Sequence, residues 1–190
     1  MTPAPAPHQV YPVEDDTLLL LEAALAEVRP GDRVLEVGTG SGHVAAELVT
    51  GGSDVMALDI NPHAVWAARA LGVEVVRSDL LSGVRGPFDL VLFNPPYLPT
   101  APGERIDDWL EYALDGGPDG RRTIARFLTE IASVLAPGGR VLLLVSTLTD
   151  PPEVMRLAGA VGLCGRSVLE RRVEGETLVV LRLTRMVAND

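Results

Sequence analysis

The sequence predicts an α/β fold: a seven-stranded, mostly parallel sheet with helices on both faces and an antiparallel hairpin at its C-terminal end. Short apolar segments, which have the composition of buried strands, alternate with longer segments whose apolar residues recur every three or four positions. Such strand–helix units are typical of parallel sheets, because parallel neighbours are joined by a crossover that packs on the sheet. The last two apolar segments are separated only by "EGE", which indicates an antiparallel hairpin.

The elements of the first half follow from capping residues and periodicity. A helix is predicted over residues 15–28, with Asp15 or Asp16 as its N-cap and an apolar face. Asn61 and Pro62 are typical of a helix start, because Asn accepts from free amides and Pro fits the first turn. Strands and helices then alternate in the order strand 33–37, helix 41–52, strand 54–59, helix 61–72 and strand 73–79.

The second half completes the sheet. A long helix is predicted over residues 119–139, ended by Pro137 and the glycines after it. Residues 104–114 are predicted as a loop or short helix, in which Trp109 either shapes a lid or packs in the core. The remaining predicted elements are strands 88–94 and 140–146, helix 151–162, and the hairpin strands 165–173 and 176–183. One domain over residues 10–185 is expected, with flexible tails at 1–9 and 186–190.

Composition and charge restrict the class of protein. The chain has 190 residues, a formal net charge of -10 and no lysine. An acidic surface repels nucleic-acid phosphates, which disfavours a nucleic-acid partner but leaves open one that follows a local basic path. The sequence shows neither a membrane-spanning apolar stretch nor a signal peptide, so we expect a cytoplasmic protein without membrane contact. Cys164 is the single cysteine, and we expect neither a disulfide nor a metal site.

Glycines and acids follow the first three predicted strands, where ligands of parallel sheets bind. "LEVGTGSGH" (35–43) has glycines at 38, 40 and 42, which allow a tight turn and close ligand approach. The spacing departs from the dinucleotide pattern, and Glu36 would repel a pyrophosphate. Asp59 and Asp79 stand where acids can accept from a ribose diol and an adenine amino group, although each could instead cap the following turn. The set predicts S-adenosylmethionine, which carries cationic groups and hydroxyls and no phosphate.

The fourth strand ends in "NPPY" (94–97), within "FDLVLFNPPYLP" (88–99). Proline cannot donate to a sheet ladder, so the strand stops and presents a rigid polar tip to the ligand edge. We expect the Asn94 side-chain oxygen and the Pro95 carbonyl to accept both hydrogens of a planar NH2 group, on which Tyr97 stacks. The pattern predicts methyl transfer to nitrogen. It leaves open whether that nitrogen belongs to a glutamine amide or to a nucleic-acid base.

Four segments together resemble the class I S-adenosylmethionine-dependent methyltransferases, and among them the HemK-like enzymes that methylate a release-factor glutamine. They are "VLEVGTGSG" (34–42), "ALDINPHAV" (57–65), "FDLVLFNPPYLP" (88–99) and "ALDGGPDGRR" (113–122). The resemblance implies a Rossmann-like methyltransferase fold whose catalytic residues are Asn94, Pro95, Pro96 and Tyr97. It implies cofactor contacts from Tyr11, Thr17, Glu36, Gly38, Thr39, Gly40, Gly42, Asp59, Ile60, Asp79, Leu80 and Asn94.

The resemblance also narrows the expected substrate and partner. Only a short segment precedes the strand at residue 33, so the chain resembles the compact archaeal and eukaryotic type. That type implies N5-methylation of the glutamine in the Gly-Gly-Gln loop of a class-1 translation release factor. It also implies a heterodimer with a small zinc-binding activator subunit through the edge strand 73–79, where Val73 and Val75 predict an exposed apolar edge. N6-adenine methylation of RNA or DNA and methylation of a protein lysine are the alternatives.

Overall fold

The centre of the fold is the predicted seven-stranded sheet, seen in a computed structural model that describes residues 6–101, 103 and 108–186. Its order is β3-β2-β1-β4-β5-β7-β6; the first five strands are parallel, and β7 is antiparallel to both neighbours. The fold class predicted from the sequence is therefore confirmed. The strands are β1 (Arg33–Val37), β2 (Asp54–Asp59), β3 (Glu74–Arg77), β4 (Phe88–Phe93), β5 (Leu135–Ser146), β6 (Leu163–Val173) and β7 (Glu176–Arg185).

Helices cover both faces of this sheet. Alternate residues of the central strands point to opposite faces, so Leu90 and Leu92 join one apolar cluster while Val91 and Phe93 join the other. Both faces of these strands are buried, which holds the strand ends in fixed positions. The helices are α1 (Asp15–Glu27), α2 (His43–Thr50), α3 (Pro62–Ala70), α4 (Trp109–Tyr112), α5 (Arg122–Glu130) and α6 (Pro151–Ala160), with 3-10 helices at Pro7–Gln9, Ile131–Ser133 and Thr147–Thr149.

The long helix predicted over 119–139 is wrong at both ends. It is α5, which covers only nine residues, and β5 already begins at Leu135. Sheet pairing overrides helix propensity there, because the Phe88 amide donates to the Val134 carbonyl at 2.8 Å and Phe88 pairs with Leu135. The register between β4 and β5 then shifts, so the Pro-Gly-Gly segment belongs to an irregular strand and does not end a helix.

The edge strand β3 also differs from its prediction. Val73 and Val75 are only 3% and 5% exposed, because they pack into the apolar cluster shared with α1, α2 and α3. Of the neighbouring valines, Val76 is the exposed one, at 37%. An apolar edge formed by Val73 and Val75 is therefore a wrong prediction. In the described ranges no strand pairs with the outer side of β3, so its free edge is one of backbone groups.

The start of α1 corrects a further prediction. Its N-cap is Glu14, whose side chain makes no capping hydrogen bond, so neither Asp15 nor Asp16 is the cap. Both lie in the first turn, where Asp16 is buried. The predicted tail residues 1–5 and 187–190 lie outside the described residues. Closer to the domain, Gln9 ends a 3-10 helix and its carbonyl accepts from Asn61 Nδ2 at 2.7 Å.

Within the described ranges, no helix has both the length and the apolarity needed to cross a membrane.

Candidate active site

A cavity of about 760 Å³ opens at the carboxyl ends of the parallel strands. It lies where the strand order reverses, because β1 has β2 on one side and β4 on the other. Its wall includes the glycine loop after β1, the ends of β2, β3 and β4, the start of α1, and residues 111–115. The predicted residues that line it are Tyr11, Thr17, Glu36, Gly38, Thr39, Gly40, Asp59, Ile60, Asp79, Leu80, Asn94, Pro95, Pro96 and Tyr97.

Gly42 is the exception among the predicted cofactor contacts, because it is not part of the cavity wall. It is the N-cap of α2, with φ of 81°. A Cβ atom there would lie 2.6 Å from the Ala68 Cα atom of α3. Gly42 therefore allows α2 and α3 to approach each other behind the loop, which is a packing role.

We expect Gly42→Ala to lower the free energy of unfolding by about 3 kcal/mol, from left-handed strain plus the clash with Ala68. Gly52→Ala is the matched control, since Gly52 has φ of 89° and no heavy atom within 4 Å of its added Cβ. The control should lose only about 1 kcal/mol. Urea unfolding of the three proteins measures both values. Equal losses in the two variants would contradict the packing role.

Glu36, which is buried, and Asp59, which is partly buried, place two acids close together at the glycine loop. Glu36 accepts from Thr39 Oγ1 at 2.6 Å and from the Ala45 amide at 3.1 Å. Asp59 accepts from the Gly40 amide and the Asn61 amide, both at 2.8 Å. Burial raises the pKa of Asp59 against the pull of these amides, and burial raises the pKa of Glu36 to about 7. The loop backbone is thus held by carboxylates that also face the cavity.

Glu36 should make stability depend on pH. Because its pKa rises from 4.5 in the unfolded chain to about 7 in the fold, its contribution is fully present below pH 4.5 and is lost as pH rises through 7. Glu36→Gln keeps an acceptor for Thr39 and Ala45 and removes this titration. Relative to wild type, the variant should gain about 3 kcal/mol in free energy of unfolding between pH 4.5 and pH 8. Urea unfolding across pH measures the gain, with exposed Glu47→Gln as control; parallel wild-type and Glu36→Gln curves would contradict the assignment.

Asp79 meets a cation that the sequence analysis did not place in the site. Arg126 of α5 donates to its Oδ2 at 2.9 Å, and both residues line the cavity. The available signal was the i, i+4 spacing of Arg122 and Arg126, which puts both on one face of a helix beside a ligand edge.

Asn94 has the most distinctive surroundings in the cavity. Its Nδ2 donates to Asp16 Oδ2 at 3.0 Å. Its Oδ1 is buried and, among the described residues, has no hydrogen-bond partner. Buried acceptors without partners are rare, and one in a cavity wall points to a donor supplied by a ligand. The sequence predicted Asn94 as an acceptor, whereas for Asp16 it offered only a possible N-cap role and no contact with Asn94.

The segment after Asn94 is held from the far side by residues 114–120. The Leu98 amide donates to the Leu114 carbonyl at 3.1 Å, and the Gly116 amide donates to the Leu98 carbonyl at 2.9 Å. Gly120, with φ of 72°, packs directly against the Tyr97 carbonyl. The glycines of "DGGPDG" therefore let one loop lie flat against the other.

Gly120→Ala should displace this loop, because an added Cβ would clash with the Tyr97 carbonyl oxygen. We expect the rate of methyl transfer to fall at least tenfold, since small misplacements of reacting groups are costly. Gly138→Ala is the control, with φ of 74° and open space around its added Cβ. Steady-state kinetics at saturating cofactor compare the two, and equal rates would show that the loop contact does not position the site.

Helix α4 forms part of the cavity wall through its last residues, Glu111 and Tyr112. Trp109 contacts the Tyr112 ring, with centroids 5.3 Å apart, and the Arg77 guanidinium lies 5.6 Å from the Trp109 ring centroid. The Trp109 amide donates to Gln9 Oε1 at 3.1 Å. Trp109 thus anchors a segment of the cavity wall beside β3. Of its two predicted roles, these contacts favour the lid over packing in the core. Residues 104–107 of the predicted loop lie outside the described residues.

The sequence of this chain is similar to those of known methyltransferases. Residues 12–104 match the family model for the methyltransferase small domain. A protein of Methanocaldococcus jannaschii with the provisional name protein N5-glutamine methyltransferase is 37% identical over 185 residues, which cover 94% of this chain and 93% of the relative. The chain belongs to the HemK-like family of S-adenosylmethionine-dependent methyltransferases.

Two further similarities support this family assignment. The Homo sapiens methyltransferase HEMK2 is 36% identical over 93% of this chain and 90% of its own length. A chain in the structure of the E. cuniculi Mtq2–Trm112 complex, responsible for methylation of the eRF1 translation termination factor, superposes with a TM-score of 0.78. The two chains are 30% identical, and the superposition covers 93% of this HemK-like chain and 99% of the E. cuniculi chain.

The residues present fit S-adenosylmethionine, the methyl donor of this HemK-like enzyme. Glu36 and Asp59 offer carboxylates to ammonium and hydroxyl groups, and Leu80, with φ of 48°, adds an apolar wall. The unpartnered Asn94 Oδ1 supplies an acceptor at the same cavity. In the described ranges, no group of three His, Cys, Asp or Glu side chains is arranged to hold a metal ion.

Proposed function

We propose that the enzyme methylates the side-chain nitrogen of the glutamine in the Gly-Gly-Gln loop of a class-1 translation release factor, as a cytoplasmic protein. The observation that carries this proposal is the buried, unpartnered Oδ1 of Asn94. A primary amide offers two N–H donors in one plane, and Oδ1 can accept one of them. The names of the archaeal relative and of the E. cuniculi complex agree with an amide substrate in a termination factor.

Pro95 and Pro96 supply the second acceptor. The Pro95 ring restricts φ, and the following proline keeps Pro95 extended, so the Pro95 carbonyl is held in one direction. Gly120 packs against the carbonyl of Tyr97, two residues further on, and limits movement of the whole segment. Asn94 Oδ1 and the Pro95 carbonyl would then accept both amide hydrogens and orient the nitrogen.

Orientation is the main chemical task of these residues. When bound, S-adenosylmethionine supplies an activated methyl group: the nitrogen lone pair forms the N–C bond, the S–C bond breaks with its electron pair on sulfur, and a proton passes from nitrogen to water. An amide nitrogen is a weak nucleophile because its lone pair is delocalised. Two fixed acceptors draw electron density toward that nitrogen and hold its lone pair in one direction, which can lower the barrier by several kcal/mol. Tyr97 lines the same cavity and would stack on the amide plane.

We further propose a small zinc-binding activator subunit as partner, bound along the free edge of β3. The E. cuniculi relative is in a complex with Trm112. The outer side of β3 carries no pairing strand in the described part of the chain, and Val76 adds an exposed apolar side chain there. An added strand would satisfy the free backbone groups.

Radiolabelled S-adenosylmethionine tests the substrate. The purified chain, with and without the activator subunit from the same host, is incubated with release factor and with a variant whose loop glutamine is alanine. Label should enter the wild-type factor and be absent from the variant. Label that persists in the variant would overturn the proposal. RNA, DNA and a lysine-rich protein serve as the other acceptors, and stronger labelling of one of them would favour adenine or lysine methylation.

A further inference from the structure

The carboxylate of Asp16 is surrounded by donors at the first turn of α1, and the residue is only 3% exposed. Its Oδ1 accepts from the Thr17 amide at 2.6 Å and from Thr17 Oγ1 at 3.2 Å. Its Oδ2 accepts from the Tyr11 hydroxyl at 3.1 Å and from Asn94 Nδ2 at 3.0 Å. Among the described residues, no ion pair includes Asp16.

The buried carboxylate of Asp16 has hydrogen-bond donors but no cation beside it among the described residues, so its burial calls for a functional explanation. Burying an acid without a cation is costly. The start of α1 uses only one oxygen of this carboxylate, since Oδ1 accepts from the Thr17 amide whereas Oδ2 faces Tyr11 and Asn94. What Asp16 does provide is a choice between the two ends of the Asn94 amide. A carboxylate accepts and cannot donate, so it binds the NH2 end of Asn94 and leaves the oxygen end for the cavity.

We propose that Asp16 is a positioning residue for methyl transfer, which fixes the Asn94 amide so that Oδ1, and not the NH2 group, faces the substrate. The inference rests on the proposed role of Asn94 as acceptor. The charge of Asp16 also polarises the Asn94 amide and makes Oδ1 a stronger acceptor. The unpartnered Oδ1 is independent support, since an amide free to turn would not leave its acceptor end unsatisfied.

The substitution Asp16→Asn should reverse the orientation of the Asn94 amide. The Thr17 amide can only donate, so it claims the new side-chain oxygen and directs the new NH2 group toward Asn94. Asn94 then turns its own oxygen toward that NH2 group. Its Nδ2 comes to face the cavity, so the site presents a donor where the substrate amide needs an acceptor.

Nuclear magnetic resonance can observe the Asn94 amide directly, without substrate or cofactor. The chain has three asparagines, Asn61, Asn94 and Asn189, so 15N-asparagine labelling gives few side-chain NH2 signals, and Asn94→Asp identifies the one of interest. We expect the Asn94 NH2 group to exchange slowly with water in the wild type and at least tenfold faster in Asp16→Asn. Asp15→Asn, the same change at an exposed neighbour, is the control and should leave the signal unchanged. An unaltered Asn94 signal and exchange rate in Asp16→Asn would overturn the proposal.

Kinetics with release factor give the second readout. Asp16→Asn should lower kcat about 10²-fold, with KM for the cofactor within fivefold of wild type and Asp15→Asn unaffected. The exchanged pair Asp16→Asn with Asn94→Asp restores a donor facing a carboxylate and returns an acceptor oxygen to the cavity. The kcat of the exchanged pair should be at least tenfold higher than that of Asp16→Asn alone, even if the single variant is poorly folded. A single variant within threefold of wild type, or an exchanged pair no better than the single variant, would refute the positioning role.

The amide exchange and kinetic measurements distinguish a failure of the positioning role from a failure of the proposed function. If the wild type does not methylate the release factor, the proposed function fails, while the exchange rate of the Asn94 amide still decides the role of Asp16. If the wild type is active and Asp16→Asn is equally active, only the positioning role fails.

Discussion

Replacing Asn94 by alanine is expected to lower kcat for release-factor methylation about 10³-fold, the upper end of the loss when one fixed polar group is removed from a reaction site. The variant loses the buried Oδ1 that faces the cavity, and the remaining acceptor, the Pro95 carbonyl, cannot orient an amide alone. The affinity for S-adenosylmethionine should stay within about fivefold of wild type, because the carboxylates that would hold the cofactor are unchanged.

Isothermal titration with the cofactor and steady-state kinetics with release factor measure the two effects separately. Glu47→Ala is the control, because Glu47 is exposed on α2 and is not part of the cavity wall. It should keep its rate within about threefold. If the cofactor affinity of Asn94→Ala falls by the same factor as the rate, Asn94 is a cofactor ligand and its proposed role is wrong.

Asp59→Ala should have the opposite profile, with the dissociation constant for S-adenosylmethionine raised at least about 10²-fold and a much smaller change in kcat at saturating cofactor. Two hydrogen bonds from ribose hydroxyls to a charged acceptor account for an effect of this size. The variant also releases the Gly40 amide, which Asp59 holds at 2.8 Å, so the glycine loop loses a fixed point.

An analogue of the cofactor without ribose hydroxyls isolates the ribose contribution. Wild type should bind it about 10²-fold more weakly than the natural cofactor, whereas Asp59→Ala should bind the two alike. Asp54→Ala, at the exposed start of the same strand, controls for loss of one acid and should bind like wild type. Discrimination by Asp59→Ala as strong as that of wild type would show that another residue holds the ribose.

The sequence was sufficient for the strand ends and insufficient for the contacts between distant segments. Glycines, acids and "NPPY" can be recognised in the sequence because each has a local consequence: a turn, a charge or the end of a strand. The contact between Asp16 and Asn94 joins residues far apart in the chain, and an acid in a helix first turn is usually explained by the helix itself.

Two other differences between the predicted and the observed structure also arise from contacts between distant segments. Helix propensity continues beyond Glu130, but pairing of Leu135 with Phe88 on β4 draws the chain into the sheet. Val73 and Val75 look like an exposed edge in the sequence, yet their side of the sheet is covered by helices. Each error came from reading one segment without the element that packs on it.

Helix α1 is anchored at both ends, which links the chemistry to a remote part of the protein. At its C-terminal end, Arg140, itself 2% exposed, binds the Glu27 carbonyl and Asp32, and Arg182 pairs with Glu27 at 3.0 Å. At its other end, Asp16 holds Asn94. The helix has 13 residues and so spans about 20 Å. The helix therefore bridges the β5–β7 pair and Asn94. We expect substitutions at its C-terminal anchor, one helix length away, to shift the position of Asn94.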